Sequence, residues 1–266
     1  MRAAEIAAPF FEATNLILAA AIGRTWAEFF HDKSALLAFG DTGYGDELLW
    51  GAVRSVEIAF FAYALGLALG LAGAMGKLSG GPILKAILEG YTTLVRAVPE
   101  LVLILLLYYA GTDGLNKILE TAGIGRIEIN GLVAAVFVLG FVQGAYHTEV
   151  LRAAIQAVPL GQSEAGKAYG MSPFKQFTRI TLPAMLPNAI PGLANLWLNV
   201  TKDSALISVV GFTELALATR QAASVSKQYL LLYLVAQALY LTISLSSTLL
   251  FSWLERYVRR GQPKLA

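Results

Sequence analysis

Two stretches set ionisable side chains against uncharged runs long enough to cross a membrane. Glu100 lies directly before Leu101–Leu107, seven apolar residues in a row. Asn199-Val200-Thr201-Lys202-Asp203-Ser204 closes one apolar run and is followed at once by another, Ala205–Phe212. Charge inside a bilayer is costly and faces a bundle interior with a partner. Glu100 therefore meets either a cationic group of a substrate or an internal cation. Arg96, four residues earlier on one helical face, and Lys202 are the internal candidates. Lys202 and Asp203 point about 100° apart on a helix, so they need not pair with each other. The chemistry on offer is recognition of an ion.

Bond-making chemistry finds no footing. There are no cysteines, which excludes disulfides, thiolate metal sites and cysteine nucleophiles. His31 and His147 are far apart in sequence and belong to no metal-ligand spacing, so no metal site is expected. Gly76-Lys77 and Gly166-Lys167 are followed by Leu78 and Ala168, so neither completes a phosphate-cradling G-x-x-x-x-G-K-[ST] loop. No G-x-S-x-G or paired-carboxylate hydrolase arrangement stands out. The chain is expected to hold no catalytic residue or cofactor. Its energy must come from a partner or an ion gradient.

A third patterned interval is Gln162–Pro183, QSEAGKAYGMSPFKQFTRITLP. Ile129–Thr148 before it and Leu182–Thr201 around its end contain no Asp, Glu, Lys or Arg. A basic polar segment between two such runs belongs on the cytoplasmic side, where it is suited to receive force from another protein. Glu164 near the start of a short helix is favoured by the helix dipole. Gly170 is suited to end that helix, and Pro173 does not readily continue it.

The elements that position these residues follow from composition. The chain is 56% hydrophobic and 14% charged, with mean hydropathy +0.61, against roughly 25% charged in a soluble domain. It reads as an all-α integral membrane protein. Its net charge of +2 gives no footprint for nucleic acid. Five spans of membrane length are expected at Val53–Met75, Leu94–Gly111, Gly131–Ala153, Leu182–Thr201 and Gln228–Leu254. Gly66 and Gly70 make a small-xxx-small pair for close helix packing. Pro183, Pro187 and Pro191 recur every four residues, so the fourth span is expected to be irregular and to line a route. Lys77, Lys85, Arg152, Lys167, Lys175, Arg179, Arg256, Arg259, Arg260 and Lys264 put one set of ends in the cytoplasm. Thr112–Asn130 and Thr213–Lys227 are then outside connections. Ala13–Gly23 is apolar but short, and is expected to lie in the interface or to add a span.

Glu164-Ala165-Gly166, three residues, Gly170, nine residues and Ile180-x-Leu182-Pro183 together resemble the EAA loop of ATP-binding-cassette importer permeases. Gly166 stands where that loop has its third alanine. Glu89–Val102, Gly144–Leu151 and Lys202–Ser208 are similar to the histidine, arginine and ornithine branch of the polar amino acid permeases. The resemblance covers roughly Gly51 to Arg260. It implies a type I importer transmembrane domain over 47–260, with a coupling helix in 160–183, an N-terminal extension 1–46 and a cytoplasmic tail 261–266. Glu164, Ala165, Gly166, Tyr169, Gly170 and Met171 would then couple to the ATPase. Glu100, Asp203, Lys202, Asn199, Ser204 and Arg96 would line the substrate pathway, with Glu100 reading a basic side chain. The implied partners are a pair of ATPase subunits holding Mg-ATP, and a second permease that is either an M-type paralogue or a second copy. A periplasmic or extracellular amino-acid-binding protein completes the system in a bacterial inner membrane. Glutamine or glutamate as substrate, and an ion-coupled secondary transporter, are the alternatives.

Overall fold

The computed structural model describes residues 34–40, 43–123, 125–126 and 130–260. The expectations for Ala13–Gly23 and for the tail 261–266 lie outside the described residues. The described elements are helical: a 3-10 turn at Ser34–Leu37, then α1 (Gly45–Ser79), α2 (Pro82–Ala97), α3 (Glu100–Thr121), α4 (Gly131–Gln156), α5 (Leu160–Ala168) and α6 (Pro173–Gln176). A π turn at Phe177–Thr181 leads into α7 (Leu182–Asp203), a 3-10 turn at Ser204–Val210, α8 (Leu215–Ser226) and α9 (Tyr229–Val258).

The core is built on α1 against α4. A Cβ on Gly66 would meet Gln143 Cβ at 2.9 Å, one on Gly70 would collide with His147 Cβ, and one on Gly73 would collide with Thr148. From the other side, a Cβ on Gly140 would meet Leu65 and one on Gly144 would meet Leu69. Partner numbers rise together, so the two helices run parallel. Their backbones are close because glycine leaves no side chain between them. Ile58, Ala59 and Ala62 of α1 and Ala135, Val138 and Leu139 of α4 enclose Ile104 of α3 and Val200 of α7 in one buried cluster.

Among the described residues, four helices are long and apolar enough to span a membrane: α1, α3, α4 and α9. The proline-bearing α7 has the length, 22 residues or ~33 Å, but is not among them. The expected single span Leu94–Gly111 is not formed. Val98 is extended, at φ −101° and ψ 140°, and separates α2 from α3. Pro99 is the cause, because a proline ring disfavours helical backbone in the residue before it. Thr213–Lys227 is likewise no loop, since α8 fills it. The span windows of α3 and α9 are only 11% and 17% buried within the chain.

The prolines of α7 are accommodated in two ways. Ahead of Pro183 the backbone widens into the π turn, with Leu182 N–H donating to Phe177 O five residues back. A π turn relieves the clash that a proline ring makes with the carbonyl four residues earlier. Pro191 leaves the Pro187 carbonyl without its helical donor, and Nη2 of Arg259, the residue that caps the end of α9, donates to it at 3.2 Å. Opposite the α5 end of the bundle, the fully buried Glu214 joins α1, α8 and α9. It accepts from Ser55 Oγ at 2.9 Å, Tyr240 OH at 2.8 Å and Leu217 N–H at 3.0 Å.

The α1–α4 contact makes a paired prediction. Gly70→Ala should lower stability by ~1–3 kcal/mol through overpacking. Gly111→Ala, where nothing lies within 4 Å of the added atom, should leave the thermal unfolding midpoint unchanged or raise it. Equal midpoints for the two variants in detergent would remove the close-packing account.

Candidate functional site

The break at Val98–Pro99 sets the geometry of the acidic site. It ends α2 and starts α3 afresh, so Glu100 falls in the first turn of a helix, where the dipole favours a carboxylate. Asp203 is the last residue of α7. The two carboxyls, 103 positions apart in sequence, lie side by side. Tyr146 presents its hydroxyl beside Glu100, and Gln143 Nε2 donates to Asp203 Oδ2 at 3.3 Å. Asn199 sits one turn before Asp203 on the same helix and is half-buried. Ser204 is buried, its hydroxyl donating to Thr201 O at 2.7 Å.

The expected internal pairs are not formed. Arg96 and Glu100 belong to different helices, so the four-residue spacing does not bring them to one face. Arg96 is exposed, its Nε donating to Thr92 O at 3.1 Å. Lys202 is exposed too, and lines a cavity of about 370 Å³ with Gln237, Tyr240 and Ser244. Among the described residues no ion pair reaches Glu100 or Asp203. Two adjoining carboxylates repel, and a cation between them relieves the repulsion. Sequence reasoning missed Gln143 and Tyr146. A polar Gln inside the uncharged run Ile129–Thr148 was the available signal.

The second site is the segment joining α4 to α7. After Gln156 only Ala157, Val158 and Pro159 intervene before α5. The helix ends in a Schellman turn: Gly170 N–H donates to Lys167 O at 2.9 Å and Met171 N–H to Gly166 O at 3.1 Å. Gly170 takes φ +69°, a left-handed conformation that glycine adopts without Cβ strain. Glu164 is the fifth residue of α5 and outside its first turn, so the dipole argument does not apply, because that field fades within one turn.

Gly166 is buried and faces inward. A Cβ there would meet Ile180 Cδ1 of the π turn at 2.7 Å, and Gln176 Nε2 fastens the same contact by donating to Ser163 O at 3.1 Å. The missing methyl of the third alanine position thus lets α5 lie against the π turn. Glu164, Ala165 and Tyr169 face outward and Met171 is half-buried. Three large apolar groups stand on this surface: Leu160 at 78% exposure, Tyr169 at 85% and Phe174 at 76%. Leu160 and Phe174 carried no sequence signal of their own.

The family described as "Binding-protein-dependent transport system inner membrane component" matches residues 63–260. The chain is 39% identical over 214 residues to the histidine/lysine/arginine/ornithine transport system permease protein HisQ of Escherichia coli (strain K12), covering 80% of this chain and 94% of that protein. It is 37% identical over 231 residues to the octopine transport system permease protein OccQ of Agrobacterium tumefaciens (strain Ach5), covering 86% and 98%. Among solved structures it is similar to an amino acid ABC transporter chain, with TM-score 0.68, 30% identity and coverage of 80% and 95%.

The contact under Gly166 is testable in isolation. Gly166→Leu should speed amide exchange across residues 163–176 by about tenfold or more, the factor set by ~1.4 kcal/mol of local destabilisation. Gly161→Leu, with open space at that position, should leave exchange nearly unchanged.

Proposed function

Because the chain belongs to the family of binding-protein-dependent transport system inner membrane components, we propose that it is the permease subunit of an ATP-driven importer for basic amino acids or opine-like compounds. The observation that carries the substrate class is the Glu100–Asp203 pair, two carboxyls side by side with no ion-pair partner among the described residues. A cationic side chain or ammonium group relieves that repulsion and supplies the charge the site lacks. Lys202, exposed beside Asp203, is the group suited to the carboxylate of an amino acid. Arg96 and Asn199 border the same pathway.

In this reading the α5 end of the bundle is cytoplasmic, following the Lys and Arg distribution. A binding protein delivers substrate to the opposite end. A pair of ATPase subunits binds Mg-ATP, supplies all hydrolysis and closes, and the surface of Leu160, Glu164, Ala165, Tyr169 and Phe174 sits in a cleft on one of them. Gly166 and Gly170 hold α5 in shape beneath that surface. Displacement of α5 passes to α4 before it and to α7 after it, and the pathway changes the side on which it is open. A second permease, a paralogue or a second copy, closes the other wall. Substrate shifts this equilibrium only by binding one state better than the other.

Two measurements test the reading. Glu100→Gln should depress arginine uptake about tenfold or more, the effect of ~1.4 kcal/mol, and glutamine uptake much less. An equal loss for both would leave Glu100 a structural residue. Tyr169→Ala combined with Glu164→Lys should abolish co-purification of the ATPase while leaving the unfolding midpoint in place, because both side chains are exposed. Retained co-purification with full stimulated hydrolysis would count against the docking surface.

A further inference from the structure

Away from the acidic pair and the α5 surface, a cluster of charge gathers around one buried ammonium group, with Glu89 at its rim 68% exposed. Lys77, near the end of α1, has a side chain only 4% exposed. Its ammonium group has three N–H donors, and each finds a partner at 2.6 Å: Glu89 Oε2 and Thr92 Oγ1 of α2, and Glu149 Oε1 of α4. Glu149 is held in turn by Arg152, whose Nη2 and Nε donate to its Oε2 at 2.8 and 3.2 Å. Arg152 Nη1 donates to Gln156 Oε1 at 3.0 Å. Two cations and two carboxylates balance, and no donor on Lys77 is spare. Rotating or sliding any one of the three helices breaks at least one of these bonds.

We propose that this cluster is the joint that makes α2, and with it Glu100, follow the displacement of the α5 segment. The inference rests on the coupling role given to α5 above. At one end, the cluster grips α4 up to Gln156, the last residue before the three that lead into α5. At the other end it grips α2 at Glu89 and Thr92, a three-residue spacing that puts both on one face. Thr92 lies one turn before Arg96 and accepts from it, and two residues after α2 ends, α3 begins at Glu100. Helix α2 is otherwise held by apolar contacts: Val95 is buried with Leu103 of α3 and with Val142 and Ala145 of α4, and Leu84 and Leu88 lie over Gly76 of α1. Such contacts are non-directional and tolerate sliding, whereas the bonds to Lys77 fix register; a further polar tie is the Tyr91 hydroxyl donating to Phe141 O. Lys77, Glu89, Thr92 and Arg152 are thus positioning residues for the acidic pair.

The chain has no cysteines, so a single reporter can be placed on it. An environment-sensitive fluorophore is attached at Leu94→Cys on α2 or at Gly161→Cys on α5, where the added atom meets open space, and the labelled chain is assembled into the transporter in lipid nanodiscs. Spectra are compared without nucleotide and after trapping with Mg-ATP and vanadate. In the parent, both positions should shift on trapping. In a Glu89→Gln/Thr92→Val background, which spares the Lys77–Glu149 pair, the residue 161 shift should persist and the Leu94 shift should shrink well below the parent's. Uptake should then fall about tenfold, within the range of site-to-site couplings, with basal ATP hydrolysis retained. Thr92→Val alone, uncharged and isosteric, should give a smaller loss of the Leu94 shift. A Leu94 shift as large as the parent's in the double variant overturns the joint while leaving the docking role of α5 intact. A parent transporter with no shift at residue 161 overturns the docking reading, and the joint with it.

Discussion

The parallel contact of α1 with α4 is the constraint on which the rest depends. Lipid tails are as apolar as leucine, so helices in a membrane are held by close packing and by polar contacts more than by water exclusion. Gly66, Gly70 and Gly73 bring α1 onto Gln143, His147 and Thr148. That approach fixes where the acidic cluster's Gln143 stands and where Glu149 meets Lys77. His147 is locked into the same seam: its Nδ1 lies 2.8 Å from Gln143 O, and a carbonyl only accepts, so Nδ1 carries the proton. Its ring packs edge-on to Tyr63 at 4.7 Å, and Tyr63 in turn donates to Leu193 O of α7 at 3.0 Å.

The second constraint is that backbone polar groups inside a bilayer find partners within the protein. The chain breaks helical regularity at two places that matter for function and answers each locally. At Val98–Pro99 the passage along α4 is interrupted, and the fresh helix start is closed by Leu103 N–H donating to Pro99 O at 3.1 Å. At Pro187 a guanidinium capping the end of α9 takes the place of the lost donor. Ser55, Tyr240 and the Leu217 amide do the same for Glu214.

Much of this was legible in the residues. Hydropathy located α4 and α9 to within four positions of their ends, and α1 less closely, since that helix begins at Gly45, eight residues before the expected Val53; their apolar runs are long and carry few charges. The turn at Gly170 followed from residue type. The broken passage was read as one span, since hydropathy sees no difference between Leu94–Val95 and Leu101–Leu107; only Pro99 signals the interruption. Residues 182–201 were located by their lack of charge, yet three prolines set into that helix mark it as something other than an ordinary crossing. The tight seat of Gly166 on Ile180 was beyond reach, because nothing in the loop's spacing says which face is turned inward. The Lys77 cluster was equally hidden. Its members come from three helices, and each in isolation looks like an interfacial charge.

The sparse internal burial of α3 has a consequence for inheritance. Glu100 opens a helix whose apolar window is 11% buried by its own chain, so in the proposed function this polypeptide furnishes one wall of the ion site and leaves the facing wall to a different gene product or to its twin. Selectivity is then a joint trait. Exchanging the facing subunit can retune which cation is admitted without a single substitution here, and a drift of charge on either wall can be compensated on the other.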